Sequence, residues 1–120
     1  MLNKKQQMIE ATLEEPSLIF KLIKDNEFEV MEEIIEKNLV DVNLEDSVGN
    51  DVVTRLLKVK EYDLVIPLMK KRNWKVNHQN SEGNTFGHIL ALDNSINTIR
   101  IVKKNLKFNK GTGFYEVWLR

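Results

Sequence analysis

The chain has 120 residues, enough for one domain or for a short array of repeats that behaves as one. Its 18 basic and 18 acidic side chains cancel, which removes the positive balance of a typical nucleic-acid binder, and 42 % hydrophobic content suffices for a core. Cysteine is absent, which excludes a disulfide framework, a thiolate nucleophile and a Cys-based zinc site, and fits a reducing, cytoplasmic setting. The charge is unevenly spread: residues 1–60 hold 8 basic against 13 acidic side chains, and residues 61–120 hold 10 against 5. The N-terminal stretch is too polar for a signal peptide, and no apolar run is long enough to span a bilayer, so no membrane contact is expected.

In chain order, residues 1–15 place Leu2, Met8, Ile9 and Leu13 at roughly helical spacing among Lys, Gln and Glu, which predicts a docked N-terminal helix or cap over residues 1–14. Pro16 then marks a helix start, where its missing N–H costs nothing. Leu18, Ile19, Leu22 and Ile23 form one apolar stripe, and Asp25-Asn26 supplies a turn. The next helix, residues 27–37, buries Phe28, Met31, Ile34 and Ile35 and exposes four glutamates. Residues 39–43 read as a short extended piece, and residues 46–50 as a turn with Gly49 available for positive φ. A second pair of helices follows, with Val52, Val53, Leu56 and Leu57 on the first stripe. Tyr62, Val65, Ile66 and Met69 make the second, closed by Lys70-Lys71-Arg72. A third pair places Phe86, Ile89, Leu90 and Leu92 before a turn at residues 93–95, then Ile96, Ile99 and Val102 before Lys103-Lys104.

This order is an internal repeat. Val42, Asn43, Gly49 and Asn50 recur 34 positions later as Val76, Asn77, Gly83 and Asn84, with Asp46 answered by Asn80. Leu22, Ile23, Glu27 and Phe28 fall likewise on Leu56, Leu57, Glu61 and Tyr62. A period of this length means that one small unit is stacked on copies of itself. Glu15 and Pro16 stand where Gly49 and Asn50 recur, so the first unit lacks the Gly turn.

Helix, turn, antiparallel helix and protruding turn at this period resemble the ankyrin repeat. Asn80-Ser81-Glu82-Gly83-Asn84-Thr85 looks like the family's Asp-x-x-Gly-x-Thr finger, with His88 where the His of Thr-Pro-Leu-His-x-Ala belongs. Val42-Asn43 and Val76-Asn77 look like its Asp-Val-Asn ending, completed by Asp41 in the first copy. The chain departs from the pattern at Phe86-Gly87, Leu90 and Asp51-Val52-Val53-Thr54. Pro67 inside a helix should remove a backbone bond at up to roughly 3 kcal/mol. The resemblance covers residues 15–109 and implies an all-α, ankyrin-like solenoid with short hairpin or turn fingers. Its three degenerate repeats would span residues 15–48, 49–82 and 83–109. Residues 110–120 would be a C-terminal cap or the start of a truncated fourth repeat; Tyr115, Val117, Trp118 and Leu119 either fold back or leave an apolar end open to weak self-association.

For function the resemblance implies a protein–protein interaction module, not an enzyme, with no cofactor and no metal. By the family's layout the contact positions are Ser47, Val48, Asn50, Arg55 and Lys58 in the second unit. In the third they are Ser81, Glu82, Asn84, Ile89 and Asp93. The residues themselves carry little chemistry. His78 and His88 are ten apart, which matches no compact ligand pattern, and His88 is within reach of the Thr85 hydroxyl. There is no phosphate-binding Gly loop and no nucleophile elbow. Trp74 and Phe108 occupy matching slots that suit packing between units. Two alternatives stay open: a binder of nucleic acid or an acidic surface through the basic C-terminal half, or a structural spacer or oligomerisation unit of a larger protein.

Overall fold

The computed structural model describes residues 2–93 and Arg100, and among them the fold is all-helical, with six α-helices and no strand. They are α1 (Lys4–Glu14), α2 (Leu18–Lys24), α3 (Phe28–Glu36), α4 (Val52–Lys58), α5 (Tyr62–Met69) and α6 (Phe86–Asp93). The expected helix over 96–102, the basic clusters beyond it, Phe108, a third finger and the apolar set from Tyr115 to Leu119 lie outside the described residues.

The 34-residue period holds at the level of elements: α2 shifted by 34 is α4, and α6 begins one further period on. Neighbours pack like on like, α2 against α4, α4 against α6 and α3 against α5, while α1 closes the near end on α2 and α3. Ile19, Ile23, Met31, Ile34, Val52, Val53, Leu56, Leu68, Met69 and Leu90 are almost fully buried along this stack. In α1 the packing face is Ile9 and Thr12 with Met8 at its edge; Leu2 and Leu13, expected inside, are exposed. Thr12 is admitted because its hydroxyl donates to the Met8 carbonyl at 2.8 Å.

The helix ends repeat as closely as the helices. After α2 the Glu27 N–H donates to Leu22 O and the Asn26 N–H to Ile23 O; after α4, Glu61 reaches Leu56 and Lys60 reaches Leu57. These are paired Schellman turns, with Asn26 (φ 59°) and Lys60 (φ 61°) left-handed at the same slot. A third closes α3 at Asn38 (φ 56°), where Leu39 donates to Ile34 and Asn38 to Ile35. Asn tolerates this conformation because its short polar side chain suits it; Lys60 does not share that advantage.

Two local expectations change. The extended piece expected over 39–43 gives way to a turn from Asp41 to Leu44: the Asp41 carboxylate accepts the Asn43 N–H at 2.9 Å and the Asp41 carbonyl accepts Leu44 N–H. Pro67 leaves α5 unbroken from Tyr62 to Met69. Pro67 and Asp63, whose carbonyl loses its donor, both face solvent, where water can replace the bond. Opposite them α5 buries Leu64, Val65, Leu68 and Met69, each worth roughly 1.5–3 kcal/mol, which outweighs one proline.

Candidate partner-binding groove

Between the helix pairs the chain protrudes as two fingers, residues 44–51 and 78–85, built on one hydrogen-bond frame. In the first, Asp46 N–H donates to Asn50 O and Gly49 N–H to Asp46 O, while Asp46 Oδ1 accepts the N–H groups of Val48 (3.0 Å) and Asn50 (2.9 Å). In the second, Asn80 N–H donates to Asn84 O and Gly83 N–H to Asn80 O. Asn80 Oδ1 accepts from Glu82 (2.9 Å) and Asn84 (3.0 Å). Gly49 (φ 82°) and Gly83 (φ 79°) provide the left-handed residue that the turn requires. The pairing stops at one isolated bridge between Glu45 and Asp51, so the fingers are turns rather than hairpins.

Finger lies directly on finger. The Ser81 N–H donates to Val48 O and Asn80 Nδ2 to Asn50 Oδ1, both at 2.9 Å. His78 Nε2 sits 2.9 Å from Gly49 O and 2.8 Å from Glu45 Oε1, so that nitrogen carries the proton and donates to both. Asn43 joins the units below: its amide donates to Asn73 O at 2.7 Å and accepts Lys75 N–H at 2.9 Å. Lys71 Nζ also reaches Asn38 Oδ1 across the period.

Two charged residues anchor the first finger to the helices. Asp46 Oδ2 accepts from Arg55 Nη1 at 2.8 Å, and the guanidinium lies 5.5 Å above the Phe20 ring of α2. Burial pushes the Asp46 carboxyl up, but the Arg55 bond, the N–H groups of Asn50 and Val48 and the Arg55 charge together hold it below its ordinary value. Asp51, only 3 % exposed, caps α4 through Oδ1, which accepts Thr54 N–H at 2.8 Å; its Oδ2 accepts the indole N–H of Trp74 at 3.0 Å. Trp74 in turn meets Phe86 edge-on, with centroids 5.0 Å apart, so its slot is used for packing between units. The corresponding cap of α6 is reciprocal: Thr85 N–H donates to His88 Nδ1 at 3.0 Å, and His88 N–H to Thr85 Oγ1 at 3.3 Å.

A groove of about 480 Å³ runs beside the first finger. Ser17, Phe20, Lys21, Lys24 and Asp25 form its α2 wall, Glu45, Asp46 and Ser47 its finger wall, and Arg55 lies between them. The sequence-expected contacts fall into three groups. Ser47 and Arg55 line the groove, though Arg55 is held by Asp46 and Phe20. Val48, Ser81 and Glu82 are exposed at the tips and Lys58 is exposed on α4. Ile89 and Asn84 are half-buried, Ile89 against the core, and Asp93 ends α6. Asn50 is the correction: at 4 % exposure, with its amide oxygen taken by Asn80, it links finger to finger and offers a partner nothing to touch.

Sequence reasoning missed Lys21 and Lys24. The signal was present, because they stand 34 residues before Arg55 and Lys58, both expected as contacts. Among the described residues no group of three or more His, Cys, Asp or Glu is placed to hold a metal ion, and no helix is long and apolar enough to cross a membrane. Compared with protein-family models, with curated proteins and with solved structures, the chain matches none.

Proposed function

We propose that the chain is an ankyrin-like solenoid of degenerate repeats that acts as a cytoplasmic protein–protein interaction module and not as an enzyme. The observation that carries this reading is the recurrence, at one 34-residue spacing, of both the finger frame and the Schellman turns, on helix pairs stacked like on like. Such a stack presents fingers and first-helix faces as a preorganised surface, which loses little entropy when a partner docks. The interior supports the same reading. Its buried polar groups have structural partners: Thr12 bonds back to its own helix, Asn50 ties finger to finger, and Asp51 caps α4 and holds the Trp74 indole. A contact surface of Ser47, Val48, Arg55, Lys58, Ser81, Glu82, Asn84, Ile89 and Asp93 follows, with Asn50 removed.

The test is a quantitative pull-down with the full chain and the double charge reversal K58E/E82K, both positions being exposed. Loss of a partner retained by the wild type supports the surface. Retention of every partner sinks it.

A further inference from the structure

The groove beside the first finger differs from the rest of the surface in which of its charges are already used. Asp46 is ion-paired with Arg55, while Glu45 is hydrogen-bonded to the His78 ring. Among the described residues Lys21 and Lys24 of α2 have no ion-pair partner, nor has Lys58, one repeat on from Lys24. Against them, Asp25 is the one carboxylate on the α2 wall, and Glu45 stands on the finger wall, hydrogen-bonded to His78. The uncommitted charge on the helix wall is therefore positive, although the lining as a whole is balanced.

The backbone adds an independent feature. Ser81 N–H donates to Val48 O of the preceding finger. Ser47 occupies the same slot one period earlier, and the first unit supplies no finger there. Among the described residues no acceptor reaches Ser47 N–H, and Ser47 is one of the residues that line the groove. An edge donor without its acceptor is a template for one more main-chain carbonyl.

We infer that this groove takes an extended acidic segment of a partner protein, with a main-chain carbonyl on Ser47 N–H and carboxylates on Lys21 and Lys24. The inference rests on the interaction-module reading and gives that partner a chemistry. A nucleic-acid strand fits less well, because its unbroken row of phosphates would lie against Asp25, Glu45 and Asp46. A peptide can alternate charged with neutral side chains and avoid them.

The probe is an acetylated and amidated hexapeptide of alternating Glu and Ser, titrated into the ¹⁵N-labelled full chain. A Lys–Ser peptide and a single-stranded oligothymidine of matched charge serve as comparisons. The Glu–Ser peptide is expected to shift the amide resonances of Ser47, Lys21 and Lys24 and to weaken with added salt. Binding should fall about tenfold in K21E/K24E, the combined effect of two exposed pairs. Ser47→Pro removes the N–H at the second position of its turn, where proline is compatible, and should also weaken binding. Equal shifts with the Lys–Ser peptide overturn the proposal, as do shifts with oligothymidine alone or none with Glu–Ser at millimolar concentration. A partner protein that binds wild type and K21E/K24E alike, but is lost from K58E/E82K, would leave the interaction module standing and remove this groove from it.

Discussion

The two fingers share a backbone frame and differ in what their first residue does with its second side-chain group. Asp46 uses Oδ1 on its own turn and Oδ2 on Arg55, which ties the first finger down to its helices. Asn80 uses Oδ1 in the same way, but its Nδ2 reaches sideways to Asn50, which ties the second finger to the first. One atom's change from oxygen to nitrogen thus redirects a tie from vertical to lateral. A finger with no finger before it is anchored to helices; one with a neighbour is anchored to the neighbour.

The widest separation between the two is expected at their helix caps. Asp51→Ala removes the cap of α4 and leaves the Trp74 indole N–H buried without an acceptor, a loss of about 3 kcal/mol in urea unfolding. Thr85→Ala, at the same slot one period later and only half-buried, should cost about 1 kcal/mol. Equal losses would break the distinction between a buried and a peripheral cap.

The glycines sharpen it next. A Cβ on Gly49 would stand 3.1 Å from Asn80 Cα and from Ser81 N, both backbone atoms of the adjoining finger, whereas one on Gly83 meets nothing within 4 Å. Both substitutions incur the strain of positive φ, about 1 kcal/mol. Gly49→Ala adds a displacement of the second finger, for a total of about 2 kcal/mol, while Gly83→Ala stays near 1. The comparison is read directly from paired thermal or urea melts.

The smallest effect is electrostatic and has a sign. Because the folded-state pKa of Asp46 is depressed, its contribution is fully present above its unfolded value, about pH 4, and disappears as pH falls through the folded value below that. Asp46→Asn should therefore cost about 1–1.5 kcal/mol at pH 6 and progressively less on acidification. At Asn80 no such titration exists, so Asn80→Ala should show a loss that does not depend on pH over the same acid range. A pH-independent penalty at Asp46 would argue that its turn bonds matter and its charge does not.

Much of this arrangement was legible in the sequence because a repeat reports each feature more than once. Apolar stripes located the helices, Gly49 and Gly83 the fingers, and Thr85 with His88 the last cap. What escaped was whatever one unit does differently from the next. Asp51 looked like a departure from the family's Thr, and nothing local says that its carboxylate will meet a tryptophan 23 residues on. Lys60 carries no preference for the left-handed conformation it adopts, which the turn closing α4 onto Leu56 and Leu57 requires. Residues 39–43 lack any residue that forbids an extended form, and the Asp41 side chain decides for a turn. Register put Asn50 and Arg55 among the contact positions, but Asn50 is buried against Asn80 and Arg55 is held by Asp46, because which polar groups a fold uses up internally depends on neighbours 9 to 30 residues away.

Asn43 has a consequence for how the chain comes apart. Its side-chain amide offers a donor and an acceptor to Asn73 O and Lys75 N–H, the same two groups that a paired backbone residue would offer. In a stack where each unit touches only its neighbours, cooperativity is set by such interfacial links rather than by the units themselves. Asn43 adds a polar link to the apolar packing of α2 on α4 and α3 on α5 that already couples the first and second helix pairs. Amide exchange in α2 and α4 should then share a single opening free energy, which falls in both helices when that one side chain is removed.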